Sequence, residues 1–139
     1  VKILHINHKY CDFGGGERYL LDLCEALEGE GQSTAVISSA HEDNKRTGRR
    51  AEYFVEPSFG LKSGRRMAPR VEEIVRAEAP DIIHLHETLV FMSPYVTRRL
   101  SRYAPIVQTL HTAFFFVPRE PRYCPVAKSA PIPWAGPAS

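Results

Sequence analysis

The run Gly14-Gly15-Gly16-Glu17 stands where an apolar stretch gives way to a helical pattern. Glycines there admit positive φ and leave backbone N–H groups uncovered, and a helix N-terminus directly behind adds partial positive charge. That chemistry suits an anion or a sugar hydroxyl arriving at close range. A tight turn is the plainer alternative, although three glycines exceed what a turn requires. Two histidine motifs offer further chemistry. "DIIHLHE" puts His84 and His86 on one face of a strand with Glu87 just beyond it, and "QTLHT" ends another strand at His111, followed by Thr112. Imidazoles and a carboxylate at strand ends can hold hydroxyls, move protons or ligate zinc. His84, deeper in its strand, and His5, in mid-strand, read as packed, hydrogen-bonded core histidines.

Familiar nucleotide and hydrolase signatures are missing. Glu17, Arg18 and Tyr19 after Gly16 break the dinucleotide pattern GxGxxG, and no GxxxxGKS or GxxxxGKT phosphate loop occurs. "GLKSG" around Ser63 is not GxSxG, and "HETLV" lacks the second histidine of a zinc protease.

The elements that must position these residues follow from periodicity. "KILHIN" (2–7) reads as a buried strand; Leu20, Leu23, Cys24 and Leu27 then form an amphipathic stripe that Gly29 and Gly31 stop. Strands are expected at 34–38, 52–55, 81–86 and 106–110. After irregular chain marked by Pro57, Gly60 and Gly64, a second helix carries Met67, Val71, Ile74, Val75 and Glu78 on one side and ends at Pro80. Ser93-Pro94 starts a short helix through Val96 and Leu100, with the serine hydroxyl as cap. Near-continuous apolar strands alternating with helices predict an α/β fold, a Rossmann-like open, mainly parallel sheet with helices on both faces. The glycine loop, His86, Glu87 and His111 then share the rim at the strands' carboxyl ends.

The chain is the size of one domain, at 139 residues, with 43% hydrophobic and 24% charged residues. Residues 1–117 form the expected domain. Pro118, Pro121, Pro125, Pro131, Pro133 and Pro137 mark 118–139 as a proline-rich tail or linker. No run nears the ~18 apolar residues of a membrane span. Cys11, Cys24 and Cys124 make neither a CxxC pair nor a zinc spacing, so a reducing, cytoplasmic setting is expected. A net charge of +2 gives no support to nucleic-acid binding. The basic clusters at 45–50, 62–70 and 98–102 read as solvated faces or as a surface for anionic lipid at the inner membrane face.

Taken in order, "GGGERYLLDLCEALEGEG", "PDIIHLHE" and "IVQTLHTAFFFVPR" resemble the N-terminal half of the retaining, GT-B-fold glycosyltransferases of the group 1/family 4 type, over residues 2–119. Gly14 and Gly15 match the family's glycine pair and Glu17 its acid. Asp81, His84 and His86 match the middle motif, and Thr109, Leu110 and His111 the last. The resemblance implies a cleft between two Rossmann-like halves, with the acceptor held mainly by this half and most of a nucleotide-sugar donor by the other. It implies that the second glycine approaches the donor diphosphate and that His111 is the catalytic contact to the donor sugar. Gly14, Gly15, Gly16, Glu17, His86, Glu87 and Thr112 are the expected donor and acceptor contacts. No divalent metal and no other cofactor is expected. Thr112 departs from the acid usual at its position, and the paired-glutamate motif of the second half has no counterpart here. The chain is therefore expected to lack a C-terminal donor-binding domain and to turn over little alone.

Two other readings remain at this stage. His84, His86, Glu87 and His111 could ligate zinc, although the strand spacing directs only two ligands well. A Rossmann-like half could also serve as a non-catalytic binding or assembly module. Phe114-Phe115-Phe116 reads as core packing or as apolar cleft lining, and an exposed aromatic surface of this kind would favour a homodimer.

Overall fold

The structure, a computed structural model, describes residues 1–12, 14–44, 46–57, 61–88 and 92–111, with the backbone alone at 61–63. Thr112, the aromatic run at 114–116 and the proline-rich segment lie outside the described residues. Eight elements alternate along the chain: β1 (Lys2–Asn7), α1 (Gly15–Gly29), β2 (Ser33–Ser39), β3 (Ala51–Val55), α2 (Leu61–Glu78), β4 (Ile82–Leu85), α3 (Pro94–Leu100) and β5 (Ile106–Gln108). The five strands form one parallel sheet in the order β3-β2-β1-β4-β5. Strand order therefore reverses between β1 and β4, the place where an open sheet of this kind leaves a crevice at its carboxyl ends.

Alternation along the strands splits the sheet into unlike faces. On one, Leu4, Ile6, Ala35, Ile37, Ile83 and Leu85 pack against Met67, Val71, Ile74 and Val75 of α2 and against Val96 and Leu100 of α3. Burial of each such side chain contributes about 1.5–3 kcal/mol. The opposite face is thinly covered: Leu20 and Cys24 of α1 pack with Tyr10 and Val36, joined by Leu21 and Phe54. His5 pairs in register with Val36 on one side and His84 on the other, so polar rings continue this face from β1 onto β4.

The α2 helix starts earlier than its sequence suggests, and Gly64 lies inside it. A Cβ at Gly64 would sit 1.9 Å from Ser93 Oγ and 3.0 Å from Ser93 Cβ, so the glycine serves the close approach of α2 to the start of α3. Pro69 also falls inside α2. Its missing N–H deprives the Arg65 carbonyl of a helical donor, and exposed Arg65 leaves that carbonyl to water. The sheet strands are shorter than expected at both later positions, since β4 spans four residues and β5 three.

Ser93 does occupy the N-cap of α3, with Pro94 behind it, but its hydroxyl makes no cap hydrogen bond. The Oγ is buried without a hydrogen-bond partner among the described residues. A working cap would make Ser93→Ala cost about 1 kcal/mol. Removal of a buried, unpaired hydroxyl predicts the opposite sign, a gain of about 1 kcal/mol in a urea melt. A loss of that size would show that the hydroxyl caps the helix in solution.

Each basic cluster holds at least one paired cation. Arg49 pairs with Glu25 at 2.6 Å, Arg70 with Glu73 at 2.7 Å and Arg99 with buried Glu72 at 2.5 Å. Arg46 donates to the Glu52 carbonyl and lies over the Phe54 ring. Arg50, 2% exposed, forms a bidentate pair with Glu28 and donates to the Tyr10 hydroxyl. No described helix is long and apolar enough to cross a membrane.

Candidate functional site

The three glycines at the start of α1 sit in three different surroundings. Gly14 has φ +95°, a left-handed conformation that L side chains rarely adopt, and a Cβ there would meet Glu17 Oε2 at 2.6 Å. Gly16 packs close to His111: a Cβ would lie 3.7 Å from its Cγ, an ordinary contact. Gly15 has nothing within 4 Å of a Cβ position and an unexceptional φ. No internal packing among the described residues accounts for that glycine, which leaves open space in front of it. The first helical bond of the turn runs from Arg18 N–H to the Gly14 carbonyl at 3.1 Å. The N–H groups of Gly15, Gly16 and Glu17 therefore lack intrahelical acceptors and carry the helix's positive end. Glu17 is half-buried in that first turn.

A line of imidazoles meets this turn. His111 Nε2 lies 3.3 Å from His86 Nδ1, and His86 Nε2 lies 3.1 Å from His5 Nδ1. His5 and His86 are fully enclosed, whereas His111 is half-buried. His84 stands beside them, its ring 4.1 Å from that of His86, with Nε2 held 2.8 Å from Thr109 Oγ1. Tyr19, on α1 one turn after Gly15, sets its ring edge-on to His111 at 5.1 Å. Burial, followed by the neighbouring charge of His84, pushes both His5 and His86 down to about 3. Burial and then His111 lower His84 as well. His5 and His86 are thus neutral imidazoles at physiological pH.

The sheet's switch point carries the rest. Asn7, last residue of β1, accepts from the Glu87 N–H at 3.0 Å and donates to the Lys9 carbonyl at 2.9 Å. The His86 N–H donates to the Ile6 carbonyl. These bonds tie β1 to β4 and place Glu87 at the mouth of the switch point, with the His86 ring enclosed behind it. The glycine turn, Glu17, Glu87 and His111 accordingly share one rim, as the strand pattern predicts, whereas His86, expected on that rim too, is buried behind His111. His84 and His5 are packed and hydrogen-bonded, also as expected, but His5's partner is another imidazole. Sequence reasoning passed over Tyr19 and Asn7. Tyr19 could have been found from its place in the first turns of a helix whose start faces the rim.

Among the described residues, His5, His84 and His86 are the group whose ligand atoms cluster, all within 4.8 Å of one another. Two Zn–N bonds of 2.0–2.1 Å span at most about 4.2 Å. A metal would therefore have to draw the rings together, and would also have to displace the His5–His86 hydrogen bond. The contacts fit a hydrogen-bonded chain better than a ligand set. On the other sheet face, a groove of about 400 Å³ opens between α3 and β5, lined by Met92, Pro94, Arg98, Ile106 and Gln108.

Comparison with known proteins adds a family to this geometry. Residues 13–135 match the family described as Glycosyltransferase Family 4. Among solved structures, a sucrose-phosphate synthase from Thermosynechococcus elongatus superposes with a TM-score of 0.57 at 14% identity. The match covers 88% of this chain and 36% of that one, so the chain spans about a third of its structural neighbour, and at this identity the likeness is one of fold. No curated protein matches the chain at a significant level.

Proposed function

Because the chain belongs to glycosyltransferase family 4, we propose that the glycine turn and His111 form this half's share of a site that transfers a sugar from a nucleotide-sugar to an acceptor with retention. The observation that supports it best is the meeting of Gly16 and His111, with the unpacked Gly15 beside them. In this reading the free N–H groups of Gly15, Gly16 and Glu17 face the donor diphosphate. Their partial charge stabilises the phosphate oxygen as its bond to the anomeric carbon breaks. The acceptor hydroxyl oxygen forms the new bond on the face the diphosphate leaves, and its proton passes to the departing phosphate. His111 holds a donor-sugar hydroxyl near the reacting carbon. The remaining donor contacts come from a second domain of the full-length protein, so the 139-residue chain alone binds donor weakly and turns over little.

The test uses full-length protein and a panel of nucleotide-sugars. Gly15→Val puts bulk where a Cβ meets nothing within 4 Å among the described residues, and His111→Ala removes one hydrogen bond. Each is expected to lower kcat/KM about tenfold to a hundredfold, with melting temperature little changed. Wild-type transfer by the double variant would remove the site assignment.

A further inference from the structure

Two enclosed imidazoles stand behind His111 with no part in the chemistry described so far. We propose that His5 and His86 are positioning residues that lock His111 in the tautomer protonated on Nδ1, so that it meets a ligand as a hydrogen-bond donor and not as a base. The role toward a donor sugar rests on the reading of His111 given under Proposed function; the lock itself does not.

A neutral imidazole offers one N–H and one lone pair. The contacts His5 Nδ1–His86 Nε2 and His86 Nδ1–His111 Nε2 each need one of each, so the whole chain points one way or the other. If it runs from His111 inward, every ring is protonated on Nε2, and the last proton sits on His5 Nε2. That atom is buried and has no hydrogen-bond partner among the described residues. An orphaned N–H in the core is among the rarest of buried polar groups. If the chain runs outward, His5 donates from Nδ1 and leaves a bare lone pair at the closed end. His86 then donates from Nδ1 to His111 Nε2, and the His111 proton must be on Nδ1.

Burial, then His84, then the Arg50 cation oppose a charge on His5, so it stays a neutral ring with one N–H and one lone pair. His84 lies against both rings but spends its own Nε2 on Thr109, so it does not divert the chain. With His111 Nε2 occupied, Nδ1 is the ring nitrogen left for a ligand at the rim. A proton fixed there can be given in a hydrogen bond to a sugar oxygen, but the site has no lone pair with which to take the acceptor's proton. In the transfer reaction that proton must go to the leaving phosphate.

Nitrogen chemical shifts read the tautomer directly. In the ¹⁵N-labelled 139-residue chain at neutral pH, His5, His86 and His111 are each expected to show a protonated Nδ1 and a bare Nε2. Free histidine prefers the reverse, so the lock is visible as an inversion. His86→Phe should return His111 to the Nε2–H form. Should that variant fail to fold, His5→Phe moves the closed end to His86 Nε2, where a proton would again be orphaned, so His111 should keep its Nδ1 proton; a switch to the Nε2–H form there overturns the proposal. In full-length enzyme, His86→Phe is expected to cost about tenfold in kcat/KM and to add nothing to His111→Ala. An Nε2-protonated His111 in the wild type overturns the proposal, as does stoichiometric zinc in untagged protein. Absence of sugar transfer alongside the inverted shifts would sink the transferase reading and leave the lock standing.

Discussion

Glu28→Ala is expected to destabilise the domain by about 3 kcal/mol, read as a lowered urea midpoint at unchanged slope. The reason lies with its partner. Arg50 opens toward α1 from the start of β3, its side chain 2% exposed, and its guanidinium is charged at any working pH. Glu28 receives Nε at 2.7 Å and Nη2 at 2.9 Å, and the Thr34 hydroxyl bonds the same carboxylate. Hydrogen bonds from Arg50 hold that carboxyl below its usual range. Removal of Glu28 strands a cation between the Tyr10 hydroxyl and the thiol of Cys24, which burial pushes up to about 11 and which therefore supplies no charge. Breaking a buried pair from one side costs about 3–5 kcal/mol. The lower end applies because Glu28 is itself 29% exposed and water can enter. Glu28→Leu with Arg50→Met should recover most of the loss, since it removes both charges together. A single Glu28→Ala within about 0.5 kcal/mol of wild type would show the pair to be inert, as exposed pairs often are.

This ion pair also marks where the sequence stopped being informative. The strands and helices were legible because each buries apolar side chains at the spacing its geometry requires: Ile3 to Ile6 in β1, Leu20 and Cys24 in α1, Met67 to Val75 in α2. Which strand lies beside which is a tertiary matter, and it decides the polar chemistry. The cluster at 45–50 reads as a solvated face or a lipid-facing surface, yet Arg50 turns inward because β3 lies beside β2, on which α1 packs, while Arg49 reaches Glu25 of α1. Gly64 reads as loop in the sequence because glycine weakens helices in isolation; in the fold, the close approach of Ser93 leaves no room for a side chain there. The rim could be anticipated from strand ends alone. The imidazole chain could not, because His5 and His86 are eighty-one residues apart and meet through the β1–β4 register.

Acidification from pH 7.5 to pH 5 is expected to remove about 4 kcal/mol of folding stability through His5 and His86, before any carboxylate titrates appreciably. Both imidazoles have folded-state values pushed down to about 3, by burial first and by His84 next, against 6.5 in the unfolded chain. Between those limits the unfolded state binds protons that the folded state refuses. The stability is therefore complete above pH 6.5 and is lost progressively as pH falls toward 3. Each imidazole contributes about 1.4 kcal/mol per pH unit in that window, hence about 2 kcal/mol at pH 5. The charged neighbours that set the balance are Arg50 and Glu28 around His5, and His84 and His111 around His86. His84 and His8 are lowered too and steepen the slope further. For a domain of ordinary stability, about 5–15 kcal/mol, the loss is large enough to see in urea midpoints at half-unit pH intervals. The decisive comparison is of slopes, because any variant of a buried ring also loses packing. His5→Phe should flatten the slope between pH 6.5 and 5 by up to half. An unchanged slope would mean that His5 already holds a second proton in the fold, and a chain of neutral imidazoles behind His111 would then be untenable.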